Sequence, residues 1–476
     1  MSTGDFAVPG PRSGVETGEA TGTVPGGAVW CESGWFEGSI RPGIRLVLDP
    51  TGTVSSAVTH TRAEPGDLVL AGVVVPGAAN AHSHAFHRML RGRTHGAGSF
   101  WTWREQMYAA AGALTPDLYE QLATAVFAEM VVAGYTSVAE FHYVHHAPDG
   151  APYPEHAMEL ALARAAVAAG IRLTLLDTCY LAGGFDTALT ARQQRFGDAD
   201  ADAWLQRLAS LQTAVAAGFS PAQVTVGAAL HSVRAVPEPA LARIAEQLPE
   251  NLPLHIHLSE QPQENADSLA ATGLTPTALL HRHGLLSPRL SAIHATHLSV
   301  EDIALLGSAG ATAVFCPSTE ADLADGLGPA GALRDAGAAL ALGSDQHAVI
   351  DPWQEMRALE YGERLRTGTR GHFTPAELHH AGSYAGARSQ GRTAPGLEPG
   401  RTADLMAVDP GSVRTAGSLP DQLALTATAA DVTAVVVGGR LLARAGRHTD
   451  LGDVAALLGG ALAALSAAVP EGSLQP

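Results

Sequence analysis

The chain has 476 residues, 46% of them hydrophobic and 16% charged, with a formal net charge of −18. That is apolar material for one large domain with a smaller companion, and it excludes a globally disordered chain. The acidic balance, with no run of basic residues, excludes an electrostatic nucleic-acid binder and leaves a soluble, cytoplasmic protein acting on a small molecule as the expectation.

All 29 basic residues are arginine. Without lysine there is no Schiff-base chemistry, no P-loop lysine and no carbamylated-lysine bridge between two metals. Cys31, Cys179 and Cys316 lie far apart. They form neither a disulfide framework nor the Cys-x-x-Cys pair of a structural zinc site.

In chain order, residues 1–27 are rich in Gly, Ser, Thr and Pro and read as a disordered lead-in, with no basic and apolar signal regions. Residues 28–72 carry short strand-like runs with turn residues such as Asp49-Pro-Thr-Gly52. Residues 401–450 read the same way, as in Val432-Thr-Ala-Val-Val-Val-Gly438. The two flanks are expected to pair into one small β-sandwich-like domain. Between them, over 73–400, eight apolar runs begin near Val73, Thr136, Ile171, Val224, Pro253, Leu290, Ala311 and Ala338. Runs without polar alternation suit parallel strands buried on both faces. Helical stretches separate them, among them Pro116–Ala133 with Thr115 as its cap. The expected fold is α/β, a (β/α)8 TIM barrel. Gly396 to Arg401 is the expected return linker, and 451–476 a terminal helix and tail, too short to span a membrane.

In such barrels the working residues stand at the C-terminal ends of the strands. The first run is followed by His82-Ser-His84, whose alternate side chains can converge on one metal. In a chain with 21 histidines that pair alone is a weak signal. The other strand ends strengthen it: Glu140-Phe-His-Tyr143, His231-Ser-Val-Arg234, His255-Ile-His257-Leu-Ser-Glu260, His294 and Ser344-Asp345. Buried His and Asp are costly unless paired or ligated, so this series is poor core filling. A hydrolytic zinc site needs three or four N/O ligands, and the metal brings the pKa of a bound water near 7. A carboxylate must also shuttle a proton to the leaving group. Glu260 fits that task, Asp345 can ligate and take the water's proton, and His294 can polarise the atom attacked. The absence of lysine favours one metal over two.

The order of these residues resembles the amidohydrolase superfamily in its mononuclear deaminase branch. Within that branch the chain resembles the formimidoylglutamate deiminase family over about Trp30 to Arg447. The motifs that carry the likeness are Asn80-Ala-His-Ser-His-Ala-Phe86, Phe100-Trp-Thr-Trp-Arg-Glu-Gln-Met-Tyr108, Glu140-Phe-His-Tyr-Val-His-His146, His231-Ser-Val-Arg234 and Phe315-Cys-Pro-Ser-Thr-Glu320. The resemblance implies hydrolysis of N-formimidoyl-L-glutamate to N-formyl-L-glutamate and ammonia, a step of histidine degradation, by a homodimer with one zinc per chain. Iron or manganese suits the same donors. It implies His82, His84, His257 and Asp345 as metal ligands, and Glu260, His294 and Asp345 as the proton-transfer groups. Arg104, Tyr143, His231 and Arg234 would hold the dicarboxylate substrate, as guanidinium forks grip carboxylates. His87 stands where the family often has Gln, so its substrate contact is a point of departure.

Several residues have plainer readings. His231 is expected as a contact and not a fifth ligand. His255 should point away from His257 or pack behind it. His142, His145, His146 and His297 read as loop or supporting histidines, Cys316 as a small buried hydrophobe, and Trp101, Trp103 and Tyr108 as packing aromatics. Ser344 either orients Asp345 or closes its strand. Three rivals remain. The first is a deaminase of the same branch acting on a purine, pterin or S-adenosyl compound, which calls for stacking more than for two arginines. The second is a cytidine-deaminase type, which needs a Cys pair this chain lacks. The third is a non-catalytic metal-binding barrel, which need not keep Glu260 or His294.

Overall fold

The computed structural model describes residues 26–94 and 100–470, without the side chains of residues 100 and 101. The expected lead-in lies outside the described residues up to residue 25, as do residues 471–476 and the Trp101 side chain.

Four strands open the chain: β1 (Ala28–Phe36), β2 (Ser39–Leu48), β3 (Val54–Val58) and β4 (Leu68–Pro76). Eight more build the barrel: β5 (Ala78–Ser83), β6 (Tyr135–His142), β7 (Arg172–Cys179), β8 (Val224–Leu230), β9 (Leu254–Leu258), β10 (Leu290–His294), β11 (Thr312–Phe315) and β12 (Ala339–Leu342). The last four are β13 (Leu405–Val408), β14 (Val432–Val437), β15 (Arg440–Arg444) and β16 (Arg447–His448). Strands β5 to β12 pair in sequence order, each parallel to the next. The bridge between Ser83 and Asp345 joins the two ends of the series and closes the ring. The chain is thus a (β/α)8 barrel with a flanking sheet.

The flanks pair as expected, into one continuous sheet of order β16-β15-β14-β13-β4-β1-β2-β3. One strand is reassigned. The run near Val73 belongs to β4 of this sheet, and the first barrel strand starts at Ala78. The reason is packing: Val73 and Val75 face the barrel core while Val74 faces the core of the small domain. A strand wedged between two cores is apolar on both faces, as a barrel strand is. The other barrel strands start within a residue of their expected positions.

Barrel helices form where capping and spacing agree. The helix Pro116–Ala133 starts at Thr115, whose hydroxyl accepts from the Leu118 N–H at 3.3 Å, and stops at Gly134 in the left-handed conformation. Below the site the barrel interior is filled by Ala81, Ile293, Val314 and Ala341, one from each of four strands, with Ala385 plugging the floor. The terminal helix runs Val454–Ala468. No helix among the described residues is long and apolar enough to cross a membrane.

An ion pair ties the two sheets together. Arg172, at the start of β7, grips Asp404 through two nitrogens at 2.7 and 2.9 Å, and Asp404 also accepts from the Gly438 N–H at 2.6 Å. Both side chains are nearly buried. Asp404→Ala strands a buried guanidinium, and a destabilisation of about 3–5 kcal/mol is expected, read as a lower urea midpoint.

Candidate active site

The strand ends converge as the sequence predicts. His82 Nε2 lies 3.2 Å from His257 Nε2, and His84 Nε2 lies 3.3 Å from it. Asp345 Oδ1 stands 3.4 Å from His82 Nε2 and 3.5 Å from His84 Nε2. All four side chains are buried.

The outer nitrogens of two of these rings are already committed. His84 Nδ1 donates to the Phe141 carbonyl at 2.8 Å, and His257 Nδ1 donates to the His231 carbonyl at 2.9 Å. Their Nε2 atoms therefore face each other as lone pairs, with no hydrogen to share. Burial, then the neighbouring histidines, hold all three rings neutral: His84 falls to about 3, and His82 and His257 fall well below the ordinary range. Acceptors this close repel unless a cation lies between them. These four separations, of 3.2–3.5 Å, match four edges of a tetrahedron with bonds of about 2.0–2.1 Å, the zinc–nitrogen and zinc–oxygen distance. The residues present fit a zinc ion.

The backbone turns sharply to aim these groups. His294, Asp345 and Ser259 adopt positive φ angles of 69°, 42° and 51°. Each such position costs about 1–3 kcal/mol and persists only where its surroundings enforce it. Here the enforcement is visible. The Ser344 and Asp345 N–H groups donate to the His82 carbonyl at 3.1 and 3.0 Å, and the His84 N–H donates to the Asp345 carbonyl at 3.1 Å. Asn80 holds Ser344 through two hydrogen bonds, of 2.6 and 3.0 Å. Ser344 thus ties the segment after β12 to β5 and closes the ring of strands.

Beside this group stand Glu260 and His294. His294 Nε2 is 3.8 Å from Glu260 Oε1 and 3.9 Å from Asp345 Oδ2. Its Nδ1 is 3.4 Å from Glu320 Oε1. Burial opposes protonation of His294, but Glu260, the Glu320 hydrogen bond and Asp345 outweigh it and push the ring up to about 10. Burial lifts the Glu260 carboxyl above the ordinary glutamate range; His294 opposes this and Asp345 adds to it. A paired acid and imidazole of this kind can hold and pass a proton.

A cavity opens over these groups. His87, Arg104, Tyr143, His231 and Arg234 all line it, with Glu260, His294 and Asp345 at its inner end. His87 Nε2 bonds the Tyr143 hydroxyl at 3.0 Å, and its ring stands edge-on to Trp103 at 5.1 Å. Trp103 and Tyr108, expected as packing residues, line the cavity as well, joined by Tyr180 and Phe196.

Of the remaining histidines, His255 points the same way as His257 but sits deeper, donating to the Ser389 carbonyl at 2.8 Å. His297 donates to the Asp325 carbonyl at 2.8 Å. His142 and His145 gather on Glu159 at 3.3 and 2.8 Å, away from the cavity. The Arg207 guanidinium, 3.0 Å from His145 Nδ1 and 3.7 Å from Glu159, already serves as the cation of that cluster. The spacing of strand ends did not reveal Glu320, which comes from a helix after β11. Nor did it reveal Glu140 as a support: its buried carboxylate accepts from Ser83 at 2.5 Å and from the Ala85 N–H at 2.6 Å, pinning the turn that carries His84.

With this geometry in view, the whole barrel can be compared with known proteins. Residues 73–442 match the model of the Amidohydrolase family. The chain belongs to the amidohydrolase family. Such a hydrolase acts on carbon–nitrogen bonds. This amidohydrolase is 36% identical over 422 residues to the formimidoylglutamate deiminase of Pseudomonas aeruginosa, covering 85% of this chain and 92% of the relative. It is 31% identical over 413 residues to the 8-oxoguanine deaminase of the same organism, covering 83% and 88%. Among solved structures, an amidohydrolase from Brucella melitensis aligns with a TM-score of 0.84 at 32% identity, covering 92% of this chain and 99% of that one. An adenosine deaminase from Xanthomonas campestris with bound zinc shares the fold, with a TM-score of 0.78 at 24% identity, covering 93% and 98%.

Gly343 offers a test of the metal geometry. A Cβ there would stand 2.8 Å from both the His82 Cβ and its carbonyl oxygen, and 2.9 Å from Cys316 Sγ. Gly343→Ala is expected to displace His82 at a cost of about 1–3 kcal/mol. Metal content after dialysis should fall well below that of the unaltered chain, with the far-ultraviolet circular dichroism unchanged.

Proposed function

We propose that this chain is a zinc-dependent hydrolytic deiminase that converts N-formimidoyl-L-glutamate and water to N-formyl-L-glutamate and ammonia. The observation that carries this reading is the polarity of the cavity. Its inner end holds acid–base groups beside a cation site, and its walls hold two arginines. Half-buried Arg234 makes no ion pair among the described residues, and its Nε has no hydrogen-bond partner. A guanidinium left in that state suits a carboxylate-bearing ligand. The identity to the Pseudomonas deiminase supports the same reading.

His82, His84, His257 and Asp345 would hold the metal. Bound there, zinc supplies a Lewis acid that makes water nucleophilic at neutral pH. Asp345 accepts a proton from the attacking water. Glu260 delivers its proton to the imine nitrogen as the water oxygen bonds to the formimidoyl carbon; its carboxylate then takes the proton of the tetrahedral hydroxyl and passes it to the amino group as the C–N bond breaks, and the proton held by Asp345 restores Glu260. His294, 3.8 Å from Glu260, donates to the charge that develops on the tetrahedral carbon's substituent. Arg104, Arg234, Tyr143 and His231 hold the glutamate part and so fix the reacting carbon near these groups. His87 acts through its bond to Tyr143 and touches the same ligand. The chain is expected to work in the cytoplasm as a homodimer.

Ammonia release should occur with N-formimidoyl-L-glutamate and fall with N-formimidoyl-L-aspartate. It should be absent with guanine, adenosine and 8-oxoguanine. Turnover of the purines alone would overturn the substrate and leave the family intact. Glu260→Gln should keep its metal and lose about 10²- to 10⁴-fold in kcat. Arg234→Met should lose roughly a hundredfold in kcat/KM through the lost charge-assisted hydrogen bonds. Full activity in Glu260→Gln would remove it from the chemistry.

A further inference from the structure

Behind the outer wall of the cavity lies a hydrogen-bonded unit that the reaction itself does not use. Gln193 is 3% exposed and sits behind the residues that line the cavity. Its Oε1 accepts from the Thr190 backbone N–H at 2.9 Å and from the Thr190 hydroxyl at 2.8 Å. A backbone N–H can only donate, so the amide oxygen is fixed toward Thr190 and the NH2 toward the opposite side. That NH2 donates to the Tyr180 hydroxyl at 2.8 Å and to the Tyr108 hydroxyl at 3.2 Å.

The direction of these two bonds matters. Each phenol oxygen accepts from Gln193, so each keeps its own hydrogen for another partner. Among the described residues neither phenol donates a hydrogen bond. Both rings line the cavity beside Arg104 and Arg234. The Arg104 guanidinium lies 5.6 Å from the Tyr108 ring centre, and Tyr180 stands edge-on to His231 at 4.4 Å. Burial also raises the Tyr180 phenol, so it stays an O–H donor. Two buried hydroxyl donors near Arg234, whose Nε has no hydrogen-bond partner, make a wall suited to an acceptor-rich anion.

Their distance from the metal-side histidines sets which anion. Tyr143 and His231 pack on His84 and His257, with ring centres 5.3 and 5.1 Å apart. Tyr180 packs on His231, and Tyr108 packs on Phe196, which itself backs Tyr143. The tyrosine pair is one layer farther from the chemistry. We infer that Tyr108 and Tyr180, turned into donors by Gln193, read the substrate carboxylate farther from the reacting carbon. This rests on the deiminase reading above, in which that group is the γ-carboxylate. Gln193 is a positioning residue, and the tyrosines determine specificity.

The test compares N-formimidoyl-L-glutamate with N-formimidoyl-L-norvaline, in which a methyl group replaces the γ-carboxylate. The variants are Tyr108→Phe, Tyr180→Phe and Gln193→Glu. The last keeps the side-chain shape but puts an acceptor where the NH2 stood, drawing both phenol hydrogens out of the cavity. Each phenylalanine variant should raise KM for the glutamate compound about tenfold, with kcat within about twofold. Gln193→Glu should raise it at least as much. For the norvaline compound, kcat/KM should move by less than about twofold in all three. Equal losses on both substrates, a loss in kcat instead of KM, or no change would each overturn the inference. If Gln193→Glu does not fold, the two phenylalanine variants decide. Failure of the deiminase reading shows differently: the unaltered chain then releases no ammonia from N-formimidoyl-L-glutamate, and the inference falls with it.

Discussion

Three neutral imidazoles and a carboxylate, each within 3.5 Å of two of the others, are a repulsive arrangement that the rest of the barrel is built to maintain. Two of the rings have spent their outer hydrogens on carbonyls, so rotation offers no relief. The hydrogen bonds that close the ring between β5 and the segment after β12 are the same ones that bring His82, His84 and Asp345 together. Barrel closure and cation affinity are therefore one structural event. A cation in that place repays both the lone-pair crowding and the left-handed backbone at Asp345.

From this centre the polarity runs outward in layers. The acid–base pair of Glu260 and His294 touches the ligand group, with Glu320 supporting His294 from behind. Aromatic and histidine rings come next, packed edge-on against the metal-side imidazoles. Arginines and phenols form the outermost wall. Proton-transfer groups thus face the reacting end and guanidinium groups stand along the walls. A substrate with an amidine at one end and carboxylates at the other is complementary to that arrangement.

Much of this was legible in the sequence, for specific reasons. Strands β6 to β12 are buried on both faces, and their runs of Val, Leu, Ile and Ala marked them closely. Strand β5, Ala78-Ala-Asn-Ala-His-Ser83, carries small residues because Gly386 packs tightly on Ala79, so its propensity gave no signal. The more apolar β4 nearby took its place. His82, His84, His257, Glu260, His294 and Asp345 were readable because strand ends announce themselves. Gln193 and Glu320 reach the site from a loop and a helix, where no period places a side chain, and Tyr180, directly after β7, offers no metal-binding group to mark it. Tyr108 looked like packing because its helix gives no sign of which face meets the cavity.

The reassigned strand carries a kinetic consequence. β4 hydrogen-bonds to β13, whose residues lie about 330 positions later in the chain. During synthesis at about 5–20 residues per second, one edge of β4, with Val73, Val74 and Val75, waits roughly 15–65 s for its partner. The barrel is made in that interval and can shield Val73 and Val75, but the backbone edge stays open until β13 emerges. An open apolar edge is a template for pairing with other chains. The sheet of the small domain is therefore completed after the barrel strands, and its waiting edge is a point of exposure to aggregation on the ribosome.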